Sequence, residues 1–414
     1  MPRVAIARKS APANRSRPLL TPPLPAARPE AVGLSPRRLT ILSDCLRREI
    51  DKGTVPGGVM MIARRGRVAY FEAHGRQDPA GSTPMSRDSL FRIMSMTKPI
   101  VSIGLMMLVE EGRLLLNDPV SKFIPEFRDQ KVGAERDGIL HLEPLVREVT
   151  IQDLLRHTSG IVYDTRGDTL IHRLYAKAGV RSRSITNAEL ATIVAGLPLI
   201  CQPGTEFHYS FSTDIIGRVI EVVAGKTLGA FLVERILAPL QMTETAFYAT
   251  DAQRGRLAQP FPADPWTGTR VALYDMLEQP ALESGGGGLV STAADYARFC
   301  QMLLNGGTLG SVRIIGRKTL ELMTSDHLGP GVRIVTPVIA PGYGFGLGFA
   351  VRVERGMAPT PGSAGQYAWH GVAGTTFWID PAEDMFAIFL SQAPGQLGHM
   401  SPMVRALAYA ALVN

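Results

Sequence analysis

Phe91 to Lys98 reads FRIMSMTK and holds a serine and a lysine three residues apart where an apolar helix begins. Thr97 to Glu111 is predicted to be that helix, and its run Ile100 to Val109 is bounded by Lys98-Pro99 and Glu110-Glu111. Residues three apart share a helix face, so the Lys98 amine can reach the Ser95 hydroxyl. A serine hydroxyl hardly ionises at neutral pH and needs such a neighbour to act as a nucleophile. The positive end of the helix favours developing negative charge. Pro99 falls in the first turn, where a missing N–H is tolerated. The spacing alone is a weak signal, because a helix cap followed by a surface lysine gives the same letters. The apolar flanks Phe91 to Met94 and Ile100 to Ile103 argue for a buried helix at a domain interface instead. The chain has no Gly-x-Ser-x-Gly, so a nucleophile elbow has no support.

Upstream of this stretch, Leu39 to Lys52 repeats apolar residues at helical spacing through Leu39, Leu42, Leu46 and Ile50. Gly57-Gly58 opens a hairpin with strands Val59 to Ala63 and Val68 to Ala73 around the turn Arg65-Gly66. Downstream, Thr150 to Leu155, Ala188 to Gly196 and Thr213 to Ala224 are predicted helices in a middle section where little reads as strand. Gly285 to Gly288 reads as a flexible break, and Ser291 to Leu304 as a helix started by a Ser/Thr cap. Strands return at Gly346 to Val353, Tyr367 to Val372, Thr375 to Ile379 and Met385 to Leu390, before a closing helix Met403 to Val413. Strand-rich ends around a helix-rich middle predict an α/β (α+β) domain of residues 30–116 and 282–414 with an inserted helical domain, 117–281. The site is expected in the cleft between them.

At 414 residues, 45% hydrophobic and 20% charged, the chain has the composition of a globular protein. No stretch approaches the roughly 20 apolar residues of a membrane span. Residues 1–29 are rich in Pro, Arg and Ala and read as a flexible basic leader. Val4 to Ala7 is cut short by Arg8-Lys9, so no export signal is read and the expected location is cytoplasmic. The net charge of +7 fits an arginine-rich solvated surface, and no basic–aromatic interleaving suggests nucleic acid. Cys45, Cys201 and Cys300 form no metal or redox spacing and read as reduced core residues. The sequence as a whole implies no metal and no organic cofactor.

Five stretches in order resemble the serine β-lactamase and penicillin-binding superfamily: FRIMSMTK, GRLLLNDPV (112–120), LLRHTSG (154–160), Tyr209-Ser210 and GGGLVSTA (286–293), with WHGVAG (369–374) closing the set. The resemblance runs from about residue 30 to the end. Within it the chain is most similar to the family VIII carboxylesterases related to class C β-lactamases. That resemblance implies an antiparallel sheet flanked by helices, with Ser95 acylated, Lys98 tuning its proton transfer and Tyr209 as general base. The N–H groups of Ser95 and Val372 would form the oxyanion hole, and Trp369 and Gly371 would line the cleft. A phenol is mostly protonated at neutral pH, so Tyr209 needs a neighbouring cation, and Lys98 is the visible candidate.

Two departures matter. Phe211 stands where the β-lactamase pattern has Asn, and Trp369 where it has Lys or His. Both are expected to make the cleft more apolar, a substrate-binding surface for uncharged small-molecule esters with short to medium acyl chains. An acyltransferase, a D-aminopeptidase or amidase, or a β-lactamase would use the same residues, and a non-catalytic binding homologue is the reading from another class. His157 is expected to brace a helix end, Asp214 to cap a helix, and His370 to face away from Trp369 by strand alternation.

Overall fold

The computed structural model describes residues 24–354 and 356–413. Helix α1 (Pro36–Asp51) opens on Ser35, whose hydroxyl accepts from the Arg38 N–H, with Pro36 in its first turn. Strands β1 (Gly57–Arg64) and β2 (Arg67–Gly75) follow. Arg65 and Gly66 join them with φ of 54° and 70°, the positive values a two-residue hairpin turn needs. Helix α2 (Thr97–Glu110) is the one predicted after FRIMSMTK. The other five strands come from the end of the chain: β3 (Tyr343–Phe345), β4 (Ala350–Arg352), β5 (Tyr367–Gly371), β6 (Thr375–Asp380) and β7 (Met385–Ser391). They make one seven-stranded sheet, β3-β4-β5-β6-β7-β1-β2, antiparallel throughout. The two ends of the chain meet at the β1–β7 pair, where Met61 lies opposite Ile388.

Both faces of the sheet are covered, and the period-two alternation of strands sorts its side chains between two cores. Met60, Ile62, Trp378, Ala387 and Phe389 pack under α1 and the closing helix α5 (Leu397–Ala410). Val59, Met61, Trp369, Phe377 and Ile388 face α2 and the helical middle. The second core continues through Ile100 and Leu105 into Ile216, Val219 and Phe231, so the helical middle packs on α2 without a break. Among the described residues no helix is long and apolar enough to cross a membrane.

Three expectations are corrected. The middle section contains a β-hairpin, Lys131–Arg136 with Ile139–Pro144, besides the predicted helices, of which Ser212–Ala224 is α3. Gly285 to Gly288 is a fastened segment and not a loose break: a Cβ on Gly285 would meet the Thr213 carbonyl at 2.5 Å, so only glycine fits against α3 there. Of the leader, residues 1–23 lie outside the described residues. Residues 24–29 are tied down, with the Val68 N–H bonded to the Pro25 carbonyl and the Ala27 N–H to the Val68 carbonyl along β2.

Candidate active site

Ser95 sits on a single 3₁₀ turn, Met94–Met96, that leads into α2. Met94 before it has φ of 47°, a left-handed conformation unusual for a non-glycine residue and a form of strain that gathers at functional sites. The turn is fixed from behind: the Tyr296 hydroxyl, on α4 (Ala293–Leu304), donates to the Met96 carbonyl at 3.0 Å, and the Leu289 N–H to the Thr97 hydroxyl at 3.2 Å.

Lys98 is 1% exposed, and its ammonium has three hydrogen-bond partners. It donates to the Gly286 carbonyl at 2.6 Å, to the Tyr163 hydroxyl at 2.9 Å and, at the long end of the range, to Ser95 Oγ at 3.4 Å. Gly286 is held in turn by Asp214, whose carboxylate accepts from the Gly286 N–H at 3.0 Å and from the Ser284 hydroxyl at 2.5 Å. Asp214 therefore does not cap α3 as expected; it fastens the glycine segment whose carbonyl holds Lys98. Burial raises the Asp214 carboxyl above its usual range, with the Lys98 charge and its hydrogen bonds opposing.

Tyr209 presents the face of its ring to Lys98, with Nζ 4.6 Å from the centroid. Its hydroxyl oxygen accepts from the Trp369 indole N–H at 3.2 Å. Trp369 is 1% exposed, and the cavity beside Ser95 is lined without it. The structure thus puts Trp369 behind Tyr209, as its hydrogen-bond donor, and not on the cleft wall. Gly371 is buried also: a Cβ there would meet the Ile93 carbonyl at 2.2 Å, so glycine lets β5 lie against the Ser95 turn. This contact brings Val372 to the cavity. Among the described residues the N–H groups of Ser95 and Val372 have no hydrogen-bond partner, so both are available to a substrate oxygen. Phe211 lines the cavity and packs edge-on to Tyr163 at 4.4 Å.

Sequence reasoning missed Tyr163. It lies in a loop with no motif, and only its 2.9 Å contact with Lys98 reveals it. Burial, with the nearby Asp214 charge, pushes its phenol well above the usual value, so Tyr163 stays protonated. His157 is buried and packs its ring 4.8 Å from that of Tyr209, with Nδ1 3.2 Å from the Ser210 hydroxyl, a bracing position. His370 faces the side of the sheet away from Ser95, and burial lowers it to about 4. One group of metal-ligand type, Cys201, Glu206 and His208, has its ligand atoms within 4.8 Å. The Glu206 carboxylate is already shared by His208 and Arg333, and burial pushes the Cys201 thiol up to about 12, so it remains a protonated, poor ligand.

The cavity has a volume of about 180 Å³. Phe211, Val180, Met276 and Leu282 give it apolar surface, and Arg166, Arg181 and Arg183 add charge that the sequence reading did not anticipate.

Residues 42–411 match the model of the Beta-lactamase family. Esterase EstB of Burkholderia gladioli is 30% identical over 403 residues, which is 92% of this chain and 96% of that protein. Protein Rv1367c of Mycobacterium tuberculosis is 35% identical over 358 residues, 84% of this chain and 88% of its own. The solved structure of EstCE1, a hydrolase with promiscuous acyltransferase activity, superposes with a TM-score of 0.74 at 28% identity, covering 91% of this chain and 98% of that one.

Proposed function

The chain belongs to the Beta-lactamase family as a serine hydrolase of that fold, and we propose that within it the protein is a carboxylesterase working through a Ser95 acyl-enzyme. The observation that carries this reading is the Lys98 ammonium, buried and bonded to Ser95, Tyr163 and Gly286, beside two unpaired N–H groups. Ser95 Oγ attacks the ester carbonyl and forms the Oγ–C bond while its proton passes to Tyr209, which reacts as the phenolate beside the Lys98 ammonium. The Ser95 and Val372 N–H groups receive the oxyanion. The C–O bond to the alcohol then breaks, and the alcohol leaves with the proton that Tyr209 returns. Water repeats the sequence on the acyl-enzyme and releases the acid.

Lys98 stabilises charge throughout, and Tyr163 and Gly286 hold it in place. The indole N–H of Trp369 is a donor only, so it binds the Tyr209 oxygen without taking its proton, and Tyr209 and Ser95 both line the cavity. Phe211 lines the cavity with a ring where a β-lactam site has an amide, which supports esters over lactams. The substrate is a small-molecule ester, and the esterase relative EstB supports the same class.

Hydrolysis of p-nitrophenyl butyrate tests the reading. Wild-type protein is expected to turn it over and Ser95→Ala to lose that turnover; an unchanged rate in Ser95→Ala contradicts it. A second reading, acyl transfer to an alcohol or amine, is favoured by the likeness to EstCE1. Adding alcohols and amines as acceptors and analysing the products separates the two. Turnover of nitrocefin at a rate comparable to the ester would count against the preference for esters over lactams.

A further inference from the structure

The three arginines on the cavity wall come from one stretch of chain between Tyr163 and Arg183, and they are held differently. Arg181 Nε donates to Asp164 at 2.6 Å and its Nη2 to the Thr165 hydroxyl at 2.7 Å, so its charge is already met. Arg183 bonds the Asp275 backbone carbonyl and, at 3.5 Å, Met276 Sδ, and its guanidinium lies 5.5 Å from the Tyr274 ring centroid. None of those partners is a carboxylate. The Arg166 side chain, exposed at the rim, has no hydrogen-bond or ion-pair partner among the described residues. Asp214 is the acidic residue on the lining, and its carboxylate is committed to Ser284 and Gly286. Among the described residues the cavity therefore holds two guanidinium groups with no hydrogen bond or ion pair to a carboxylate, although the Asp275 and Glu278 charges act on Arg183 from outside the lining, and both lie beside the apolar surfaces of Phe211, Val180 and Leu282.

An arginine fork fits a carboxylate with two parallel hydrogen bonds, and such charge-assisted bonds are stronger where neighbouring apolar surface excludes water. We propose that the preferred substrates are esters carrying a second, anionic group, a carboxylate that Arg166 and Arg183 receive while the ester carbonyl lies at Ser95. This rests on the reading of Ser95 as the acylated residue. It replaces the uncharged ester expected from Phe211 and Trp369 with one whose charge Arg166 and Arg183 read. Arg181, held by Asp164, shapes the wall through its place 5.8 Å from the Phe211 ring centroid.

The test compares esters that differ only in charge. For a carboxylate on the acyl part, the p-nitrophenyl monoester of glutaric acid is set against p-nitrophenyl pentanoate. For one on the alcohol part, the butyrate ester of 4-hydroxybenzoic acid is set against that of 4-hydroxybenzamide. One charged member is expected to exceed its neutral partner in kcat/KM by about tenfold or more, the effect of a single good charge-assisted pair. Arg166→Gln and Arg183→Gln should each bring that ratio toward one, Arg166→Lys should keep much of it, and added salt should reduce it. Equal or faster hydrolysis of both neutral esters by the wild-type protein, or a ratio that survives both Gln variants, overturns the proposal while leaving the esterase reading intact. No turnover of any of the four, with no acyl label on Ser95, overturns both.

Discussion

An ammonium group has three N–H donors, and Lys98 has all three directed: at Ser95, Tyr163 and the Gly286 carbonyl. A side chain fixed in this way cannot swing aside to be replaced by water. Lys98→Ala is expected to lower kcat/KM for p-nitrophenyl butyrate by about a thousandfold, within the range ascribed to positioned proton-transfer groups. Trp369→Phe keeps an aromatic ring near Phe345 and removes the N–H that Tyr209 accepts together with part of the buried indole. Its kcat should fall about tenfold, one hydrogen bond's worth, and its thermal midpoint should drop because the smaller ring leaves a buried gap. If Trp369 instead bound substrate directly, KM would move and kcat would not. Ser95 and Lys98 were legible in the sequence because a three-residue spacing on a helix start is itself the geometry. Tyr163 was not, since a long loop carries it to Lys98 from 65 residues away and nothing in its own neighbours marks that end point.

The elements that hold the site do so by close approach. The end of β5 lies against the Ser95 turn because Gly371 has no side chain, and the Thr375 hydroxyl on β6 ties to the same Ile93 carbonyl at 3.2 Å. Gly371→Ala must push that carbonyl or the strand aside, which separates the Val372 and Ser95 N–H groups. We expect kcat to fall by about a hundredfold, as for loss of one oxyanion donor, while circular dichroism shows the sheet retained. Retained activity in this variant would remove Val372 from the account. Strands such as β6 and β7 were readable from their β-branched and aromatic content, and the hairpin Lys131–Arg136 with Ile139–Pro144 could have been. Asp137 and Gly138 at its tip have φ of 53° and 74°, the Asp-Gly turn that a hairpin favours, yet the exposed Ile139 and Leu142 blurred the alternation. The arginine lining could not be read at all: Arg166, Arg181 and Arg183 look like ordinary surface charge until the loop folds over Ser95.

Across the whole molecule, one apolar core joins the sheet face to α2 and the helical middle, so the site is set on a single packed body. His157 sits inside that core against Tyr209, and burial holds its imidazole well below the usual value, with the Lys98 charge adding to the effect. The unfolded chain therefore takes up this proton more readily than the folded one. The resulting stability is present above about pH 6.5 and is lost as pH falls below it. Urea denaturation from pH 7 to 5 should show wild-type protein weakening more steeply than His157→Asn, a residue that tolerates the left-handed backbone at this position. Parallel slopes would mean that His157 takes no part in the acid sensitivity. All of this supports one covalent event at one oxygen. The most direct test is intact mass after brief mixing with p-nitrophenyl butyrate, followed by peptide mapping: the account predicts a butyryl mass increase carried by the peptide containing Ser95. Ester turnover without an adduct on that peptide, or an adduct carried by another residue, would contradict it.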